Sequence, residues 1–171
     1  FYLQAIENNP NYMLAFNNLG VVYKEQGNLS LAILNTQKAI DLKPDFAEAH
    51  TNMGVVLDIK GDVNNAIQSH KTAIQLNPDF LGAWNNIFFP IQTLQSDKTS
   101  ILNELADLVS ETDSASAKVQ LSMLRYKLSR GSSSEQNCYE NVLDRLSSED
   151  QWISNPTPQK CITSTHSIAS E

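Results

Sequence analysis

The chain repeats itself. Displaced so that Asn18 falls on Asn52, the segment Asn18–Phe46 matches Asn52–Phe80 at 13 of 29 positions, far above chance. Such a period means that one supersecondary unit is built more than once, and units of this size stack because none of them buries its apolar face alone. Asn18, Gly20, Val21 and Val22 return as Asn52, Gly54, Val55 and Val56, and Gly27 returns as Gly61. Ala32-Ile33, Ala39-Ile40 and Pro44-Asp45-Phe46 return as Ala66-Ile67, Ala73-Ile74 and Pro78-Asp79-Phe80. Ala5, Ile6 and Pro10 carry the series backwards, so the first residues read as the end of a preceding repeat.

Each unit reads as two short antiparallel helices. Residues 11–26 place Tyr12, Phe16, Leu19 and Tyr23 at helical spacing, with small Ala15 and Gly20 opening a notch for a close neighbour. Gly27 suits the turn after that helix, and Asn28 with Ser30 offers an N-cap for the next. In the second helix Ile33, Thr36, Ala39 and Ile40 share a side. Pro44 is expected to end it and Asp45 to cap the helix that comes next.

This pattern resembles the tetratricopeptide repeat, whose signature runs aromatic, Leu-Gly, Tyr, then Ala, aromatic, Ala and Pro. The first full repeat supplies Phe16, Leu19-Gly20, Tyr23, Ala32, Ala39 and Pro44; the second supplies His50, Met53-Gly54, Leu57, Ala66, Ala73 and Pro78. Thr36 and His70 stand where the second aromatic belongs. The resemblance covers roughly residues 1–95. It implies an all-α, right-handed solenoid of helical hairpins that binds a partner protein or extended peptide in a concave groove lined by the first helix of each pair. The repeat style, followed by a divergent helical section and a Ser/Thr-rich tail, also resembles bacterial proteins in which such repeats precede a sulfotransferase domain. Repeats of this kind precede glycosyltransferase domains too. The alternative is therefore the noncatalytic N-terminal region of a larger transferase that positions substrate.

The candidate groove residues are Asn17, Asn18, Lys24, Asn52, Asp58, Asn85 and Asn86. Asn18, Asn52 and Asn86 are evenly spaced and give one rung per repeat. A carboxamide both donates and accepts, so a row of them can hold a peptide backbone without regard to its sequence. The arrangement resembles the asparagine ladder in the repeat region of O-linked N-acetylglucosamine transferases. The other reading is that these side chains bond across neighbouring helices and serve packing. Lys24 becomes Asp58 and then Gln92 along the repeats, which argues against a groove built for a highly charged tail.

Several function classes drop out. A formal charge of −7 with no cluster of Lys and Arg argues against nucleic acid and anionic membrane as partners. The acidic residues are scattered, no P-loop, dinucleotide turn, GxSxG or HExxH occurs, and His50 and His70 fall at packing positions. Cys138 and Cys161 lack metal or redox spacing and read as free thiols of a cytoplasmic chain. We therefore expect no catalytic residue, cofactor or metal. The start FYLQAIENNP lacks signal-peptide character and reads as an internal piece of a longer soluble protein.

The repeat breaks in WNNIFFPIQ, residues 84–92. Phe88 takes the place of Gly20 and Gly54, which predicts a more distant or differently crossed helix, and Pro90 should kink or end its own helix. Helices are expected over Lys98–Ser110, with Ile101, Leu102, Leu105, Leu108 and Val109 on one face, and over Ala117–Arg130, with Val119, Leu121, Leu124 and Leu128. A third, capped by Ser132 and Glu135, holds Tyr139, Val142, Leu143 and Leu146. The expected organisation is a repeat array over 1–95, a divergent helical cap over 96–150 and a linker or start of a further domain over 151–171.

Overall fold

A computed structural model describes residues 2–94 and 98–129. The expected helix after Ser132, the tail from 151, both cysteines and the expected stop at Gly131 lie outside the described residues. The described residues form helices only: α1 Tyr2–Asn8, α2 Met13–Glu25, α3 Leu29–Leu42, α4 Ala47–Lys60, α5 Val63–Leu76, α6 Leu81–Thr93, α7 Lys98–Ser110 and α8 Ala115–Ser129. None is long and apolar enough to cross a membrane. The chain divides into two compact units, Phe1–Lys118 and Val119–Glu171.

In the first unit α2 pairs with α3, and α4 with α5, as helical hairpins. The pairs join where α3 meets α4 and α5 meets α6, while the first helices α2, α4 and α6 neighbour one another in chain order. The turns inside the hairpins follow the expected chemistry. Gly27 and Gly61 both hold positive φ, +75° and +87°, a conformation that a side chain disfavours. The Asn28 carboxamide caps α3 by accepting from the Leu31 amide at 3.2 Å.

The turns between hairpins differ from expectation in one respect. Asp45 does not cap α4; Phe46 occupies the N-cap position and makes no side-chain cap. Asp45 stands one residue too early. The equivalent turns at Asn9 and Asn77 are instead tied by carboxamides accepting from Asn11 and Asp79 amides. The carbonyls of the turn prolines also find partners: His50 Nε2 and Trp84 Nε1 each donate to the preceding turn proline, Pro44 and Pro78 respectively, at 2.8 Å. The two rings occupy equivalent positions of successive repeats and do the same task, which fixes the Nε2–H tautomer of His50.

The core is set by small residues. Ala15, Ala49, Ala83 and Ala117 are at most 1% exposed, one per first helix, and Ala32, Ala39, Ala66 and Ala73 are wholly buried in the second helices. Next to them the glycine notches are filled from the facing helix. A Cβ on Gly20 would lie 2.4 Å from Thr36 Oγ1, and one on Gly54 would lie 2.6–2.8 Å from three atoms of the His70 ring. Thr36 and His70 thus replace the expected aromatic because each is seated on bare glycine backbone. The seat leaves their polar atoms dry: Thr36 Oγ1 and both His70 ring nitrogens are buried with no hydrogen-bond partner. Burial pushes the His70 pKa down to about 4, so the ring is neutral.

The third hairpin position departs from this plan. Phe88 occupies the notch, half-buried and edge-on to Phe89 with centroids 5.4 Å apart. The residue that would enter it, one period after His70, is Glu104, which is exposed and paired with Lys71 of α5. Lys71 holds the Glu104 carboxyl below its ordinary range through hydrogen bond and charge. In α7 the fully buried residues are Leu105 and Val109, one step beyond the positions that Ile67, His70 and Ile74 predict. The helix has turned by one residue, about 100° on a 3.6-residue period, presenting Leu instead of Glu to the core. Pro90 does not end α6, which continues to Thr93. Lacking an N–H, it gives up the bond to the Asn86 carbonyl, but the helix runs on for only three more residues, and its own carbonyl accepts from Thr93 Oγ1 at 3.0 Å.

This packing makes stability sensitive to the notches. Gly54→Ala should destabilise by about 1–3 kcal/mol through overpacking, although Ala is the better helix former. Combined with His70→Ala the methyl has room, and urea unfolding should give a double variant less damaged than the sum of the singles. His70 also makes stability pH-dependent. The unfolded ring takes a proton near pH 6.5 and the folded ring near 4, so the contribution is complete above 6.5 and is lost as pH falls to 4. Between pH 7 and 5 the chain should lose roughly 2 kcal/mol more than the His70→Phe variant.

Candidate functional site

On α2, α4 and α6 the inner face carries the alanines and Leu19, Met53 and Ile87, all buried. A second face of each helix lies about 60–100° round from it on the helical period and is less buried. Asn18, Asn52 and Asn86 stand there, each half-buried, followed one turn later by Val21, Val55 and Phe89. A carboxamide column and an apolar column thus run side by side across three neighbouring helices. The apolar column escaped the sequence reading because Val and Val look like core; only Phe89, 57% exposed, reveals its direction.

The seven groove residues expected from sequence do not share one environment. Asn17 is fully buried and fully engaged: its Oδ1 accepts from Asn52 Nδ2 at 2.9 Å and its Nδ2 donates to Glu48 Oε1 at 3.0 Å. This is a bond between adjacent hairpins, the packing role also considered for these residues. Asn52 spends one donor on it and keeps Oδ1 open. Asn86 donates to its own helix, at Gly82 O, 2.8 Å away, and likewise keeps Oδ1 open. The Asn18 side chain makes no hydrogen bond to any described residue. Asn85 is exposed, and Lys24 and Asp58 are half-buried at the margin of the face.

The second rung fails to copy the first for a simple reason. Thr51 stands one period after Asn17, but Gly82 replaces Glu48 and offers no side chain. Thr51 Oγ1 is therefore buried without a partner, and Asn86 bonds to the carbonyl four residues back in its own helix, as Asn35 does to Leu31. The Asp58 carboxylate has neither hydrogen bond nor ion pair to a described residue, and burial pushes its pKa up. No group of three or more His, Cys, Asp or Glu suited to a metal occurs among the described residues. His50 and His70 are both spent in packing.

Comparison with known proteins agrees with this architecture. Models of the tetratricopeptide repeat match residues 1–33 and 47–80, and a model described as a TPR repeat matches residues 22–57. No curated protein sequence matches the chain. Among solved structures, a mutant O-GlcNAc transferase of Thermobaculum terrenum is similar over 64% of this chain and 21% of its own length, with 26% identity and a TM-score of 0.55. The chain therefore spans about a fifth of that enzyme. MamA is similar over 84% of this chain and 79% of its own, with 17% identity and a TM-score of 0.56, a likeness of fold. The sulfotransferase resemblance finds no support in these likenesses. Repeat models across residues 1–80 and the paired-hairpin architecture together make the chain a tetratricopeptide-repeat protein.

Proposed function

We propose that the chain is a noncatalytic interaction module that holds an extended peptide, or an extended segment of a partner protein, along the open face of α2, α4 and α6. The observation that carries this reading is the series Asn18, Asn52 and Asn86, one carboxamide per first helix, with the Oδ1 atoms of Asn52 and Asn86 open and Asn18 unengaged by any described residue. Open oxygens at repeating intervals suit backbone N–H donors, which every peptide has. Affinity then comes from the main chain, and the adjoining Val21, Val55 and Phe89 receive side chains that point the same way. The regions 96–150 and 151–171 are, on this reading, a helical cap for the array and a connection onward, in a cytoplasmic protein.

A second reading has one observation in its favour, the 26% identity to part of a Thermobaculum terrenum O-GlcNAc transferase. In it the same face positions protein substrate for a transferase domain encoded after Glu171. The two readings share the groove and differ in the chain beyond it. The codons after Glu171 discriminate: a strand leading to a phosphate-binding turn supports the transferase, and a stop codon removes it.

The ladder is tested by replacing Asn18, Asn52 and Asn86 together with Ala. The triple variant should stay folded by circular dichroism and lose about tenfold or more in affinity for unstructured peptides, since three hydrogen bonds at about 0.5 kcal/mol or more each exceed the roughly 1.4 kcal/mol that tenfold requires. Unchanged binding by a folded variant would sink the ladder. Asn17→Ala is the structural counterpart. It leaves Glu48 and Asn52 without their shared partner and should lower unfolding stability by about 1–2 kcal/mol.

A further inference from the structure

We propose that Glu48 is a positioning residue for the groove: acting through Asn17, it fixes which end of the Asn52 carboxamide faces the ligand, and so makes an N–H donor at that rung a requirement for binding. The inference rests on the groove reading above and adds to it a chemical polarity and the residue that sets it.

A carboxamide is nearly symmetric in shape, so its hydrogen-bond partners decide whether oxygen or nitrogen points outward. Glu48 Oε1 accepts from Asn17 Nδ2 at 3.0 Å. An ionised carboxylate only accepts, so Asn17 must turn its NH2 to Glu48 and its oxygen the other way. That oxygen accepts from Asn52 Nδ2 at 2.9 Å. A carbonyl oxygen also only accepts, so Asn52 must turn its NH2 to Asn17, which leaves Oδ1 open. Reversing either carboxamide would set oxygen against oxygen. Asn17 is fully buried, so water does not compete for the middle of the relay. The charge enters at its exposed end, Glu48, and polarises the two amide groups in the sense that makes Asn52 Oδ1 the stronger acceptor.

The neighbouring rungs lack this relay. One repeat later Thr51 and Gly82 stand in place of Asn17 and Glu48, and Asn86 donates to the Gly82 carbonyl at 2.8 Å. That carbonyl orients Asn86 in the same sense but carries no charge. The Asn18 side chain has no hydrogen bond to a described residue that would orient it. The face therefore presents two oriented acceptors, one of them backed by a carboxylate. It asks its ligand for N–H groups rather than for particular side chains. An extended segment of ordinary residues meets that demand, and a run of proline, which has no N–H, does not.

The test uses the whole chain and two probes: a dodecapeptide of eight alanines between paired serines, and its ester analogue with lactate for each alanine. In the analogue oxygen replaces N–H while the methyl side chains are unchanged. Titrated by amide chemical shifts, the peptide should bind about tenfold tighter than the ester, the size of one charge-assisted or two ordinary hydrogen bonds. In Glu48→Gln, which keeps the shape but can donate as well as accept, that ratio should fall several-fold, and in Glu48→Ala likewise. Glu48 is exposed, so neither change disturbs the core, and urea unfolding checks that both variants stay folded. The Asn52 carboxamide protons of unliganded Glu48→Gln should also move upfield, because the relay has lost its charge.

A role in packing alone would weaken peptide and ester together. An unchanged ratio in both variants therefore overturns the positioning role while the groove stands. Asn52 carboxamide protons that do not move in Glu48→Gln overturn it too, by a measurement that needs no ligand. Equal affinity of the unaltered chain for peptide and ester overturns the acceptor rungs and with them the role of Glu48. Failure of both probes to bind overturns this role and the groove together.

Discussion

The architecture depends on how closely the two helices of a hairpin can approach. At Gly20 and Gly54 the first helix presents bare backbone, and Thr36 and His70 from the second helix press into it. With the alanines on either side this sets a short separation that recurs in both full repeats. Recurrence of the distance allows α2, α4 and α6 to lie as neighbours, and so allows single residues on them to form columns. The cost is visible: among the described residues, three of the four buried polar side-chain atoms without partners belong to the two residues in the notches. Contact with the glycine backbone recovers dispersion that a looser fit would forfeit, which offsets part of their desolvation.

Where the notch is lost, the consequences spread in an orderly way. Phe88 fills it, Glu104 is turned out to Lys71, and α7 buries Leu105 and Val109 instead. The period itself survives this local change. Ala117 is buried one period after Ala83, and Leu121 is buried one period after Ile87. Identity-based matching misses this continuation because Ser122 succeeds Phe88 in the notch series and Arg125 succeeds Ile91. Residue size and burial persist where identity does not, and Ala117 with Leu121 was the available signal.

The helical hairpins were legible from the sequence because their markers act locally. Gly27 and Gly61 at positive φ, Asn28 at an N-cap and the alanine positions each impose their effect within a few residues. The cap expected at Asp45 and the end that was one of two outcomes expected at Pro90 do not occur: one residue decides whether a carboxylate can cap, and one lost backbone bond does not stop a helix that its neighbours hold. The face was harder. Asn17 and Asn18 are adjacent and identical in type, yet one is sealed between hairpins and the other is open. Only the helical phase, set by tertiary packing, separates them.

The bond from Asn52 to Asn17 has an entropic consequence for the three rungs. A side chain that is already held loses little rotational freedom when a ligand arrives, whereas a free one must be ordered at a cost of about 0.5–1.5 kcal/mol. Asn52 is fixed by Asn17, Asn86 by Gly82, and Asn18 by nothing described. On the proposed groove reading, three chemically identical groups are thus unequal as partners for a ligand, and the array is preorganised towards α4 and α6. A bound segment should be most rigid there and fray towards α2.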